Sequence, residues 1–186
     1  MTTMARIPYP DPAQLSPDTA AFLAKLPPLN IFRMLAGGEG LLPAFTRFGN
    51  HLLYKTALDP VLREIAIVRV GILSRASYEV YQHDRISSSI GMSDELIAAL
   101  RVGADDPVFD DLQRLVVRYT DDVVANVKAS DETFDALAAH LSVQELQELT
   151  ITIGFYMTVS RYLETFGVDI EDPAANVALD VTRPGS

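Results

Sequence analysis

The stretch from Leu58 to Gly91, LDPVLREIAIVRVGILSRASYEVYQHDRISSSIG, constrains the fold of this chain more than any other. Asp59 is a good N-cap, and Pro60 stands at the first helical position, where its missing N–H costs nothing. Apolar residues then recur at Leu62, Ile65, Ile67, Val68, Val70, Ile72 and Leu73. They are too many for one stripe, so the spacing predicts a helix buried on most sides. A second helix follows with Tyr78, Glu79, Tyr81, Gln82 and His83, and Gly91 is placed to end it. The two read as a hairpin. Inside the apolar run sit Arg63, Glu64 and Arg69, while Glu79 and His83, at i and i+4, share one face of the second helix.

The rest of the chain reads as helices placed around this hairpin. Ser16-Pro17-Asp18 opens a short helix that Pro27-Pro28 stops. Asn30 is placed to cap IFRMLA, and residues 41–54 carry apolar residues at helical spacing. Ser93 caps DELIAAL; Asp106 is expected to cap a long amphipathic helix over residues 107–127; Ser130 opens another. Ser142 with Glu145 has the form of a capping box for a final long helix ending at Gly167. No β-strand run stands out, so the fold class is all-α. We expect a single domain over 1–186: an extended Pro-bearing segment 1–15, a core 16–167 and a loose acidic tail 168–186. One echo asks for a structural answer. Setting Glu64 on Glu148 also sets Leu62 on Leu146, Ile67 on Ile151 and Tyr78 on Tyr162, but puts Glu79 on Leu163 and His83 on Gly167.

Composition limits the chemistry. With 186 residues, 48% of them hydrophobic, one domain can bury a real core. A net charge of −10 argues against nucleic acid or an anionic membrane surface as partner. The first residues, MTTMARIPYPDPAQ, lack the apolar run of a signal peptide, and no uncharged run approaches spanning length. The expected location is cytoplasmic. Cysteine is absent, which removes disulfides, thiolate metal sites and thiol nucleophiles from the chain itself. Three scattered histidines with no H-x-x-x-H are poor metal ligands, so no metal is expected. Ser87-Ser88-Ser89 lacks a nucleophile elbow, and Gly37-Gly38-Glu39-Gly40 lacks the Lys and Ser/Thr of a phosphate loop.

That leaves His83. With Glu79 one turn before it and Glu64 on the adjacent helix, its imidazole is the natural proton donor or acceptor. Glu64 in an apolar helix needs a partner, either Arg63 and Arg69 or His83. A buried ion pair with a purely structural role accounts for the same residues. His51, in the preceding helix, could line the same cavity; His140 has no charged constellation beside it.

These residues resemble the carboxymuconolactone decarboxylase family, within the alkylhydroperoxidase D-like superfamily. The resemblance rests on Arg63-Glu64, the apolar helix, Tyr78-Glu79, His83 and the turn Gly91-Met92-Ser93-Asp94-Glu95. It is strongest over residues 58–100 and implies an all-α, alkylhydroperoxidase D-like helical bundle around a central hairpin. In the peroxidase-like branch a Glu precedes C-x-x-C, with a His four residues after the second Cys. Glu64 and His83 keep that spacing, but Ala76 and Glu79 occupy the two Cys positions. The form Y-E-x-x-x-H looks like the Cys-less decarboxylase branch, where His and Glu transfer protons without a cofactor. The resemblance therefore implies a lyase- or isomerase-type reaction on a small organic acid or lactone, as in aromatic-compound catabolism. It implies His83, Glu64 and Glu79 as catalytic residues, with Arg69, Tyr78 and His51 at the substrate, no cofactor, and a homo-oligomer (dimer, trimer or hexamer). Arg63, Arg75 and Arg85 are further candidates to meet an anionic substrate. The alternative is a non-catalytic helical oligomer in which the Glu/Arg/His cluster fixes packing.

Overall fold

The computed structural model describes residues 5–172. Among them are no strands; the elements are one 3-10 turn, Pro12–Gln14, and helices α1 (Pro17–Leu23), α2 (Asn30–Leu35), α3 (Leu41–Tyr54), α4 (Pro60–Leu73), α5 (Ser77–Ser89), α6 (Asp94–Val102), α7 (Asp111–Asn126), α8 (Asp131–Ala138) and α9 (Val143–Phe166). The all-α expectation holds.

Helix α4 is the axis. Asp59 caps it by accepting from the Val61 and Leu62 amides at 2.8 and 3.1 Å. Every residue from Leu62 to Gly71 is buried, because α5, α6, α7 and α9 pack around the helix. Ile65, Ile67 and Val68 have no exposed surface, and each such side chain contributes about 1.5–3 kcal/mol of burial. This burial is completed within one chain. The apolar load of α4 therefore needs no second subunit to cover it.

The turn into α5 is a Schellman motif. The amide of Ala76 bonds the Gly71 carbonyl at 2.9 Å, that of Arg75 bonds Ile72 at 3.0 Å, and Arg75 takes a left-handed φ of 55°. Gly71 lets the two helices close. A Cβ there would stand 3.0 Å from Val80 Cγ2 and 3.4 Å from Glu79 Cγ. Gly91, at φ 92°, ends α5 as its position in the sequence suggested.

Three expectations change. The cap of α7 is Asp110, in a capping box with Gln113, because Asp106 instead accepts from Val108 in the turn before it. Asn30 is the first residue of α2 and not its cap; the Glu171 carboxylate accepts its amide at 2.5 Å. The described part of the tail is therefore not loose: Val168 and Glu171 are buried. Residues 173–186 lie outside the described residues. At the other end, residues 5–15 lie against their own chain. The Arg6 amide bonds Phe166 O at 2.8 Å, and the Tyr9 hydroxyl receives the Asp169 amide at 3.0 Å; residues 1–4 lie outside the described residues.

The echo between the halves is not a structural repeat. α9 runs unbroken through Val143–Phe166, where a copy of the α4–α5 turn would fall at 158–160. Glu148 is only half-buried, and its Oε2 accepts the Ala57 and Leu58 amides at 2.8 and 2.9 Å, unlike the enclosed Glu64.

Candidate active site

The hairpin brings four charged side chains into line. Glu64 has no exposed surface; Arg63 Nε donates to its Oε1 at 3.3 Å, and its Oε2 lies 2.6 Å from His83 Nδ1. The other ring nitrogen, Nε2, lies 3.1 Å from Glu79 Oε1. That contact is an ion pair without hydrogen-bond geometry, so Oε1 is a buried carboxylate oxygen with no donor of its own. Both ring nitrogens therefore face carboxylates. The edge of the Tyr156 ring completes the enclosure, its centroid 4.9 Å from that of the imidazole.

Electrostatics favour the imidazolium. Burial alone would depress the His83 pKa, but the charges of Glu64 and Glu79 and the hydrogen bond to Glu64 outweigh it and raise the value from 6.5 to about 10. The row Arg63, Glu64, His83, Glu79 is then neutral in sum. Removing the imidazolium proton would leave a net buried negative charge. Burial beside Glu79 and Glu64 also raises the Tyr156 hydroxyl well above its ordinary value.

His83, Glu79 and Tyr78 form part of the wall of a cavity of about 530 Å³. Its other walls come from α1 to α3 and from α9, and they are largely apolar: Phe22, Phe32, Phe45, Leu53, Phe155 and Val159 are among them. Such a volume and lining suit a small-molecule site. Glu64 does not reach the cavity; it stands behind the imidazole.

The other expected residues divide. Tyr78 lines the cavity, but its hydroxyl donates to Glu171 Oε1 at 2.6 Å. His51 is exposed and not in the wall; Asn50 is, one residue and about 100° around the helix. Arg69 is buried elsewhere, with Nε and Nη2 on the Asp121 carboxylate at 2.6 and 3.0 Å and Nη1 on Leu100 O at 2.7 Å. Arg75 is exposed in the hairpin turn, and Arg85 lies over the Tyr81 ring at 5.5 Å. None of these arginines lines the cavity, nor does Arg63. Among the lining residues the fixed cation is Lys25, exposed at the rim. Among the described residues no group of three or more His, Asp or Glu side chains is arranged to hold a metal ion, and no helix is long and apolar enough to cross a membrane.

Two residues of the site were not anticipated. Glu171 accepts from Tyr78, from Gln82 Nε2 and from the Asn30 amide, so it fixes two wall residues of α5 from the far end of the chain. Tyr156, on α9, sits in an apolar helical run that gave no sign of facing an imidazole.

Comparison with known proteins bears on the family and the fold. The model of the carboxymuconolactone decarboxylase family matches residues 39–122, the stretch that holds Glu64, Glu79 and His83. The uncharacterized protein YnjA of Escherichia coli (strain K12) is 28% identical over 110 residues, 58% of this chain and 60% of that protein. The match thus spans about three fifths of the curated relative's length. An uncharacterized peroxidase-related protein from Ralstonia eutropha JMP134, described as an alkylhydroperoxidase AhpD core, superposes with a TM-score of 0.82 at 20% identity, covering 93% of this chain and 95% of its own. The debrominase Bmp8, as a Cys-to-Ala variant in complex with 2,3,4-tribromopyrrole, gives 0.72 at 16% identity, covering 94% and 96%. With the motif, the hairpin and the helical layout in agreement, residues 39–122 of this chain match the carboxymuconolactone decarboxylase family, and the chain has the AhpD-like fold.

Proposed function

We propose that the chain is a cofactor-independent enzyme that transfers protons on a small ring compound, in a lyase- or isomerase-type reaction. The observation that carries this is an imidazolium held between two carboxylates at the wall of an apolar cavity. His83 is the general acid and Glu79 the general base; Glu64, held by Arg63, is a positioning residue that fixes the ring through Nδ1. In an isomerisation, Glu79 takes a proton from the substrate and His83 gives one to a different atom of it. The 3.1 Å between them then lets the proton on Glu79 pass to the neutral imidazole, which restores the pair with no co-reactant. In a decarboxylation, the electron pair left on carbon as carbon dioxide departs would take its proton from His83. The family supports an enzymatic role, and the ring bound to the debrominase neighbour supports a ring-sized substrate. Thiol chemistry has no place here, because the chain contains no cysteine.

The test is deuterium wash-in from heavy water, followed by NMR, over a panel of ring enols and lactones that includes carboxymuconolactone. Exchange or turnover should fall by about 10²-fold or more in His83→Gln with the fold intact. Undiminished turnover in that variant would make the cluster structural. A homo-oligomer is part of the same proposal: Phe48 and Ile151 are 46% and 50% exposed, and light scattering at micromolar concentration reads the assembly.

A further inference from the structure

We infer that the cavity selects uncharged aromatic molecules bearing an O–H or N–H donor, and rejects carboxylate anions. This rests on the proton-transfer reading of the same site and narrows it to the isomerisation form, since a decarboxylation would need a carboxylate substrate. Three observations carry it. The first is the Glu79 carboxylate, which forms part of the cavity wall. Its Oε1 is turned inward to His83 Nε2 at 3.1 Å, and no described side chain or amide donates a well-formed hydrogen bond to the group. A carboxylate so short of donors is costly to bury, and the missing partner is a donor. The second is that the neighbouring donors on α5 are already committed: Tyr78 Oη and Gln82 Nε2 both donate to Glu171. An incoming carboxylate would find them turned away, with Glu79 and Glu171 adding two negative charges nearby. The third is the cation supply. Arg63, Arg69, Arg75 and Arg85 do not reach the cavity, and Lys25 stands exposed at its rim, where water screens it. The His83 charge is already shared between Glu64 and Glu79. Against that polar corner stand Phe22, Phe32, Phe45 and Phe155, which offer ring faces and edges to an aromatic guest.

The experiment is an equilibrium titration of the full chain near neutral pH with three naphthalenes, read by the probe's own fluorescence. The chain has no tryptophan to interfere. 2-Naphthol carries a donor, 2-methoxynaphthalene lacks one, and 2-naphthoate is an anion. 2-Naphthol should bind about tenfold or more tighter than 2-methoxynaphthalene, the scale of one hydrogen bond to a charged acceptor, and 2-naphthoate should bind weakest. Glu79→Gln should remove most of the naphthol advantage and leave 2-methoxynaphthalene unchanged. If that variant fails to fold, a pH series on the unaltered protein serves instead: naphthol affinity should fall as the probe itself ionises. Equal affinity for the naphthol and its methyl ether would overturn the inference. So would tightest binding of the naphthoate, or no binding of any of the three. Because binding is read without turnover, a failure here leaves the acid–base proposal to its own deuterium test. Naphthol selectivity without catalysis would sink only that proposal.

Discussion

Helix α4 carries two buried arginines, Arg63 and Arg69, 5% and 8% exposed, and they anchor two different kinds of cluster. Around Arg69 every guanidinium nitrogen is paired. Two guanidinium nitrogens meet both oxygens of Asp121, the third meets a carbonyl, and Gly103 packs over the group, where a Cβ would lie 3.0 Å from Nη2. Around Arg63 the row passes through Glu64 and His83 and stops at Glu79, a carboxylate short of hydrogen bonds beside a cavity. Burial of charge is common to both, so burial does not mark the site. Of the buried polar atoms left without a hydrogen bond, that of Glu79 belongs to a residue of the cavity wall, and this conjunction does.

Substitutions can be chosen to pull the two clusters apart. The largest effect belongs to His83→Gln: a loss of about 10²-fold in turnover per folded molecule, about 2.7 kcal/mol in activation free energy, together with a lower urea midpoint near neutral pH, because Glu64 and Glu79 lose the cation between them. Arg69→Met should cost stability alone. Stability should fall by about 2 kcal/mol in urea denaturation, less than the 3–5 kcal/mol of a fully enclosed pair, because part of Asp121 remains in water. Its turnover per folded molecule should hold. An equal loss of activity in both variants would erase the distinction drawn here.

Proton linkage sharpens the contrast. The folded state raises the His83 pKa from 6.5 to about 10, so the imidazolium contribution to stability is complete below about pH 6.5 and is lost as pH rises towards 10. Urea midpoints measured from pH 6 to pH 10 should decline, and His83→Gln should flatten that decline; an unchanged slope would count against a charged His83. The smallest effect is that of Glu171→Gln, which keeps the shape but weakens three hydrogen bonds to a carboxylate. A loss of about 1 kcal/mol in the urea midpoint is expected, and a larger loss would make the tail a principal support of the fold.

Much of this was legible because it is local. Asp59, Ser93, Ser130 and Ser142 act on amides two or three residues away, so their signals survive in a short window. The Glu64–His83 contact joins two helices of one hairpin, and the family spacing carries it. Arg69 was misassigned because rotation about α4 is set by α6 and α7, not by its own helix. His51 and Asn50 differ by one step around α3, which the apolar pattern does not resolve. Glu171 was hidden for a different reason: an acidic residue after the last helix carries no periodicity, and its partners lie far away in the chain.

That last feature bears on the order of assembly. The Glu171 carboxylate meets Tyr78 across 93 positions and the Asn30 amide across 141. The α4–α5 hairpin needs only neighbours and can form quickly, whereas so distant a loop closes late. On a ribosome, Tyr78 and Gln82 would emerge long before the carboxylate that fixes them. The hairpin can therefore exist before the wall of the cavity is set. Binding competence should trail helix formation in a refolding experiment, and the interval between them is the time this clasp takes to find its partners.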